Sequence, residues 1–313
     1  MKEKIQQLAN TYHNEIVDIR RHLHQYPELS FQEKETAKYI SAILNKWGIS
    51  HETGIAGNGV VAVLEGKNPQ KKTIALRADM DALPIEEQND IPYKSKNKGV
   101  MHACGHDVHT SSLLGVVKIL NELKHELEGT VKFIFQPAEE LLPGGAKQMI
   151  EEGVLEKEPV PELIIGQHVY PELPVGKVGF RKGAYMASSD EIYITVKGKG
   201  GHGAMPEKIT NTVLIASKIL VELQQIPNNL APKEIPTVLS FGKVIANGAT
   251  NIIPNEVYIE GTFRTLNEDW RKQAHQHIKE IANKIALEMK GTVDVNIVNG
   301  YPMLHNNEIT TEE

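Results

Sequence analysis

The chain has 313 residues, of which 40% are hydrophobic and 24% charged, and its formal net charge is -6. This composition is that of an ordinary globular protein, and the negative charge argues against a nucleic-acid surface. No apolar run approaches the ~20 residues that cross a bilayer, so we expect no membrane partner. The single cysteine excludes an intramolecular disulfide and fits a reducing compartment, so we expect a cytoplasmic protein.

Helical and strand patterns alternate through the first half of the chain. In chain order, the periodicity predicts an amphipathic N-terminal helix, a helix opened by a capping box at Ser30–Glu33 and ending near Trp47, strands at Gly59–Leu64 and Thr73–Ala78, a helix at Asp107–Leu123, a strand at Val131–Phe135, a short helix at Gly144–Glu152 and a strand at Leu163–Ile165. We therefore predict an α/β fold with a helix-flanked, mixed but largely parallel sheet. Such sheets place their sites at the carboxyl ends of the strands.

The pattern changes near Gly183. Five further elements have clear periodicity: a strand at Asp190–Lys197, a helix at Asn211–Gln225, strands at Thr237–Ile245 and Glu256–Arg264, and a helix at Asn267–Met289. With a last strand at Thr292–Val298, the order β-α-β-β-α-β describes a compact two-layer α+β module. We predict a first domain over residues 1–183, a smaller second domain over 184–299, and the start of a return to the first domain over 300–313.

The segment Met101–His109 holds the only cysteine, three histidines and an aspartate. Thiolate, imidazole and carboxylate are the groups that bind transition metals in proteins. A solvated histidine-rich loop with a buried structural cysteine is the alternative. Because the segment lies between a predicted strand and a predicted helix, where α/β folds place their sites, the position favours metal binding.

Three predicted strands run into polar residues. They lead into Asp79 and Asp81, into the pair Glu139 and Glu140, and into His168. Adjacent glutamates are most often solvated, and a lone histidine is most often a core residue with its partners. At strand ends, however, one glutamate could bind a metal while its neighbour acts as general base, since a metal lowers the pKa of water from 15.7 to about 7.

Four separated motifs then resemble a known family. They are His102-Ala103-Cys104-Gly105-His106-Asp107, Gln136-Pro137-Ala138-Glu139-Glu140, Arg77-Ala78-Asp79-Met80-Asp81-Ala82-Leu83-Pro84 and Gly200-Gly201-His202-Gly203. In this order they resemble the M20 metallopeptidase superfamily. Within it they are similar to the amidohydrolase subfamily of plant auxin-conjugate hydrolases, bacterial hippurate hydrolases and N-acyl-amino-acid deacylases.

The resemblance implies a hydrolase with two divalent ions, Zn²⁺ or Mn²⁺, a catalytic domain and a lid domain. It assigns four metal ligands: Cys104, His106, Glu140 and His168. Glu139 would be the general base, and His202 would polarise the scissile carbonyl, often across a dimer interface. Asn251 and Arg264 would bind the substrate carboxylate, and Asp81 would orient a ligand. The expected substrates are N-acyl amino acids or short peptides, and the expected assembly is a homodimer or higher homo-oligomer through the lid.

The resemblance also implies that the family's pattern continues beyond Glu313, where its last histidine ligand would lie. One alternative is therefore a truncated, catalytically impaired homologue that keeps its fold and dimerisation. Another is a biosynthetic deacetylase of the N-acetyl-diaminopimelate type.

Overall fold

The computed structural model describes residues 1–312, which divide into two compact units. The first runs from Met1 to Lys177 and the second begins at Val178. None of the helices in this described part is both long and apolar enough to cross a bilayer. The assignment of a catalytic role to residues 1–183, a lid role to 184–299 and a return to 300–313 stays a prediction.

The first unit has four helices and five strands. They are α1 (Lys2–Gln25), α2 (Lys34–Lys46), β1 (His51–Ile55), β2 (Gly59–Glu65), β3 (Thr73–Asp79), α3 (His106–Glu122), β4 (Thr130–Gln136), α4 (Gly145–Glu151) and β5 (Leu163–Gly166). The strands form one sheet in the order β1-β2-β4-β3-β5. The pairings of β3 with β4 and with β5 are parallel, and the other two are antiparallel. The predicted helix-flanked mixed sheet is confirmed, with its parallel part confined to three strands.

The central strand β4 explains why this sheet is stable. All seven of its residues are buried, as expected for a strand covered on both faces. On one face, Phe133 and Phe135 lie in a core with Leu114 of α3 and Leu44 of α2. On the other face, Ile134 packs in a smaller cluster with Met149 of α4 and with Val154, which follows α4. Strand β4 is therefore packed between two layers of side chains.

The predicted capping box at the start of α2 is wrong. The helix begins at Lys34, and Glu33 stands at the N-cap position without a side-chain cap. Ser30 and Glu33 are both buried and form hydrogen bonds with distant segments instead. A capping box fails here because the oxygens of both side chains bind remote segments in place of the first turn of the helix.

Residues 178–312 of the second unit form eight strands and three α-helices. They are β6 (Gly183–Met186), β7 (Asp190–Lys197), β8 (Gly201–His202), α5 (Thr212–Leu223), β9 (Thr237–Ile245), β10 (Ile252–Ile253), β11 (Glu256–Thr265), α6 (Glu268–Glu288), β12 (Thr292–Val298), β13 (Leu304–Asn306) and α7 (Glu308–Glu312). Four of the strands form an antiparallel sheet in the order β12-β7-β11-β9. With α5 and α6, they follow the predicted order β-α-β-β-α-β.

Alternation along β7 places the core of this unit. Ile192, Ile194 and Val196 are fully buried, while the intervening residues are partly or fully exposed. The buried face packs against α5 and α6, where Ile219 and Ile278 complete the same cluster. One face of the sheet therefore carries both helices, as a half-buried antiparallel sheet requires.

A buried ion pair joins the start of β7 to α6. The Asp190 carboxylate is fully buried and accepts hydrogen bonds from the Arg271 guanidinium through both oxygens. His275 Nε2 lies 2.8 Å from Asp190 Oδ2, and the Gly300 amide donates to Oδ1 at 3.1 Å. Burial opposes ionisation of Asp190, but hydrogen bonds with His275 and Arg271 outweigh it and lower its pKa to about 2.

We predict that Asp190→Asn lowers the free energy of unfolding by about 3 kcal/mol, because Arg271 loses its fully buried counter-charge and keeps the more exposed Glu268. The folded pKa of Asp190 lies below its ordinary value of 3.8. The stabilisation is therefore complete above about pH 4 and is lost as pH falls towards about 2. Urea unfolding of both proteins between pH 7 and pH 2 measures this.

The exposed Asp294 on the adjacent β12 offers a matched control, and Asp294→Asn should stay within about 0.5 kcal/mol of the parent. A difference between parent and Asp190→Asn that stays constant from pH 7 to pH 2 would contradict the assigned ion pair.

Candidate metal centre

The three parallel strands of the first unit bring polar segments to one edge of the sheet. The strand β3 ends at Asp79, β4 at Gln136 and β5 at Gly166. Because parallel strands share their carboxyl edge, the residues that follow each strand lie near one another. The helix α3 begins at the same edge with His106, directly after Gly105.

Gly105 allows this loop to approach the segment after β5. Its φ is +92°, in the left-handed region that side chains rarely adopt. A Cβ at this position would lie 2.5 Å from Cγ2 of Val169. The absence of a side chain therefore brings Cys104 and His106 close to His168, as the sequence predicted.

His106 lies at the middle of the cluster and is buried. Its Nδ1 is 3.1 Å from Oδ1 of Asp81 and donates to this carboxylate, so Nε2 is the ring nitrogen that could bind a metal ion. Nε2 is 3.6 Å from Oε1 of Glu140 and 3.8 Å from Oδ2 of Asp79. Among the described residues, neither His106 Nε2 nor Glu140 Oε1 has a hydrogen-bond partner. Two buried, unsatisfied atoms that face each other fit a shared cation.

The thiol lies at the outer side of the cluster. Cys104 Sγ is 3.3 Å from Nε2 of His168, whose Nδ1 donates to the Val169 carbonyl at 2.7 Å. Cys104, His106 and His168 each offer a ligand atom, and these atoms lie within 4.8 Å of one another. His106, Glu139 and Glu140 form a second such group. The two groups share His106 and together contain every residue predicted as a ligand.

The electrostatics of the cluster favour positive charge. Burial lowers the pKa of His106, but the hydrogen bond with Asp81 and the nearby Cys104 outweigh it and raise the pKa to about 11. A metal ion bound at Nε2 would take the place of the proton on that nitrogen. The neighbouring His106 and His168 lower the pKa of the Cys104 thiol. The thiolate, which binds metal, is thereby favoured.

Glu139 differs from the other acids at this edge. Burial raises its pKa, and the charges of Glu140 and Asp79 raise it further. In contrast, burial opposes ionisation of Asp81, but hydrogen bonds with His106 and Ser30 hold its pKa below the ordinary value. Two acids in one site whose pKa values move in opposite directions are suited to different roles, and the raised one is suited to proton transfer.

His109 contacts the segments around the site, although the sequence motifs did not predict a role for it. Its Nε2 accepts from the Val169 amide at 2.9 Å, so Nδ1 carries the proton and donates to Asp79 at 2.6 Å. Asp79, His106 and His109 also lie close enough to hold an ion, but both ring nitrogens of His109 are already used. His109 therefore links β3 to the segment that carries His168. His109 follows His106 by three positions, which places both on one face of a helix. This spacing is the sequence signal that indicates a role for His109 in the site.

The predicted residues of the second unit lie apart from this cluster in the chain. His202 is exposed, and its strand β8 pairs with β10, so that His202 lies opposite Ile252. Gly203 N donates to the carbonyl of Asn251 at 2.8 Å, so the loops of His202 and Asn251 are adjacent.

Arg264 lies near the end of β11, opposite Val238. Its side chain is exposed, and no ion pair of residues 1–312 involves its guanidinium. No hydrogen bond in the same range joins it to His202 or Asn251. Of the three site residues predicted in the second unit, the structure thus brings His202 and Asn251 together and leaves Arg264 on a different sheet.

The chain matches the family model described as Peptidase family M20/M25/M40 over residues 75–312. It is 41% identical to an N-acyl-L-amino acid amidohydrolase of Geobacillus stearothermophilus, over 91% of this chain and 76% of that protein. It is 38% identical to thermostable carboxypeptidase 1 of Saccharolobus solfataricus, over 99% of this chain and 79% of that protein. Among solved structures, it is similar to the Bacillus subtilis YXEP protein, a dinuclear metal-binding peptidase, with a TM-score of 0.81 and 36% identity over 97% of this chain and 78% of that one.

We predict that Cys104→Ser weakens Zn²⁺ binding at least about 100-fold. Loss of a residue that only orients a metal ligand costs about 10–100-fold, and loss of the ligand itself should cost more. An alcohol is a much poorer soft ligand than a thiolate. The melting temperature of the metal-free protein should change little, because Cys104 is only half-buried. Calorimetric titration measures the affinity. The exposed His125 provides the control, since His125→Ala should bind Zn²⁺ as the parent does. An unchanged affinity in Cys104→Ser would make the thiol a structural group.

Proposed function

The chain belongs to Peptidase family M20/M25/M40, and we propose that the cluster at the edge of its first sheet is its active site. The protein is a metal-dependent hydrolase of amide bonds, and N-acyl amino acids or short peptides are its substrates. The facing, unsatisfied Nε2 of His106 and Oε1 of Glu140 are the observation that carries the assignment of the site.

The donor set fits divalent metal ions. We assign Cys104, His106, Glu140 and His168 as the residues that would hold two ions, with Asp81 orienting His106 through its Nδ1 hydrogen bond. A thiolate favours Zn²⁺, whereas imidazole and carboxylate also suit Mn²⁺, so both metals fit this set. When bound, the ions would supply an activated water at neutral pH and polarise the substrate carbonyl.

Glu139 acts as the general base in this proposal. Its partly buried carboxylate, next to Glu140 and with a raised pKa, takes a proton from the attacking water. The water oxygen first forms a bond to the carbonyl carbon. The carbon–nitrogen bond then breaks as Glu139 delivers the proton to the leaving amine nitrogen. The products are a carboxylic acid and an amine. One residue thereby serves as base and then as acid.

Residues of the second unit would bind the remainder of the substrate. We assign His202 to polarisation of the scissile carbonyl, and Asn251 and Arg264 to the substrate carboxylate. The exposed guanidinium of Arg264 presents a fork that matches a carboxylate. The adjacency of His202 and Asn251 supports their joint action on one ligand.

We further propose a homodimer or higher homo-oligomer that forms through the second unit. The strand β9 lies at the edge of its sheet, and three of its apolar side chains are exposed: Val238, Val244 and Ile245. An exposed apolar edge strand is ready to pair with another chain. The free thiol of Cys104 supports a reducing, cytoplasmic location.

We predict that Glu139→Gln lowers kcat at least about 1,000-fold, because an amide cannot accept the proton. Its metal content should stay near that of the parent. The neighbouring Glu140→Gln is the matched comparison, and it should lose both activity and metal. Rates on N-acetyl-L-alanine and metal analysis of both variants measure this. Comparable rates for Glu139→Gln and the parent would refute the role of general base.

For Arg264→Ala we expect KM for N-acetyl-L-alanine to rise about 10–100-fold with little change in kcat, because a charge-assisted contact is present in ground and transition states alike. N-acetyl-L-alanine amide lacks the carboxylate, so its KM should change little in this variant. Arg181 is an exposed arginine of the same unit, and Arg181→Ala should leave both KM values unchanged. Equal losses on acid and amide would remove Arg264 from carboxylate binding.

A further inference from the structure

The segment between α1 and α2 reaches into the candidate active site from outside the predicted motifs. Ser30 Oγ donates to Oδ2 of Asp81 at 2.6 Å, and the carboxylate of Glu33 accepts from the Ala138 amide at 2.7 Å. Asp81 in turn binds His106, and Ala138 directly precedes Glu139. Glu33 thus binds the residue before the proposed general base, and Ser30 binds the acid that orients the proposed ligand His106.

Glu33 is fully buried, and its two oxygens are used on uncharged donors. Oε1 accepts from the Ala138 amide, and Oε2 accepts from Nδ2 of Asn58 at 3.0 Å. Burial raises the pKa of Glu33. Burial of a carboxyl group without a cationic partner costs free energy. The need to give one backbone amide an acceptor is therefore a weak explanation for the burial of Glu33.

Ala138 adopts a conformation that must be held from both sides. Its φ is +47°, which a residue other than glycine rarely adopts, and it is fully buried. Glu33 fixes its N–H, while its carbonyl accepts from the Gly145 amide at 2.8 Å. At position 145, a Cβ would lie 2.0 Å from the Pro137 carbonyl, so only glycine permits this contact.

The left-handed residue sets the direction of the two glutamates that follow. After Ala138 the chain turns out of β4, and the Glu140 amide donates to Asp81 Oδ2 at 2.9 Å. Acids from other segments thus hold the backbone on both sides of Glu139: Glu33 before it and Asp81 after it. Non-glycine residues with positive φ at such sites are kept because the surroundings determine them.

We propose that Glu33 is a positioning residue for catalysis, which holds Ala138 in its left-handed conformation and thereby aims the Glu139 carboxylate. Ser30 supports the same loop indirectly, through Asp81. This inference rests on the proposed function of Glu139. It assigns an active-site task to a segment that the sequence pattern marks only as a helix start.

Kinetics of three variants test the role. Glu33→Ala should lower kcat on N-acetyl-L-alanine about 100-fold with little change in KM or Zn²⁺ stoichiometry, as a misplaced catalytic group does. Glu33→Gln keeps a carbonyl acceptor for Ala138, and Asn58 can turn its own oxygen towards the new amide, so kcat should stay within about threefold of the parent. Glu35→Ala removes an exposed glutamate from the first turn of the same helix and should behave as the parent.

Exchange of the Ala138 amide proton, followed by NMR, tests the contact without an activity assay. It should accelerate at least about tenfold in Glu33→Ala, and stay near the parent value in Glu33→Gln. If Glu33→Ala fails to fold, Asn58→Ala replaces it, because it removes the donor that orients Glu33 and leaves the carboxylate in place. Faster exchange with a lower kcat is then expected.

Several results would overturn the proposal. One is an unchanged kcat in the folded Glu33→Ala or Asn58→Ala variant. Another is a kcat of Glu33→Gln as low as that of Glu33→Ala. The third is an exchange rate of the Ala138 amide proton that is the same in Glu33→Ala as in the parent. A parent chain without activity on any N-acyl amino acid would overturn the proposed function instead, and the exchange measurement would still decide whether Glu33 holds Ala138.

Discussion

One buried carboxylate, that of Asp81, joins the segments from which the candidate active site is built. It accepts from Ser30 before α2, from the Glu140 amide after β4 and from His106 at the start of α3. Each donor comes from a different part of the chain, so the three segments keep their spacing only while this acid is ionised and desolvated. Burial would favour its neutral form, and the donors outweigh that cost. The geometry of the site is thus a property of the folded first unit as a whole.

The second unit also has a buried carboxylate with several hydrogen-bond donors, that of Asp190, but this one stabilises the fold. Two of its hydrogen bonds come from Arg271, whose charge is permanent. His275 contacts it as well, so both carboxylates lie beside an imidazole. The donors of Asp81 are a hydroxyl, a backbone amide and the imidazole of His106, whose second nitrogen is left for a further ligand. The permanent charge beside Asp190 fits a structural role, and the remaining nitrogen beside Asp81 fits a metal site.

Periodicity predicted the long elements well because burial acts on them directly. The strand Thr237–Ile245 has the predicted bounds, and the amphipathic α6 differs by one residue at each end. Strand ends also predicted which acids and histidines meet. Sequence alone failed where the partner is remote: the pattern at Ser30–Glu33 is the same whether its oxygens cap a local helix or bind another segment. It failed also for β8 and β10, since two-residue strands exist only through their pairing.

Gly105 has a consequence for how this protein can evolve. Two independent demands meet there: a left-handed backbone, and a gap in front of Val169 that any side chain would fill. A smaller residue at position 169 would relieve the second demand and leave the first untouched. A compensating substitution at position 169 alone is therefore not enough for position 105 to accept an ordinary side chain. Glycine is expected to persist there, because the approach of the Cys104 loop to Val169 depends on it.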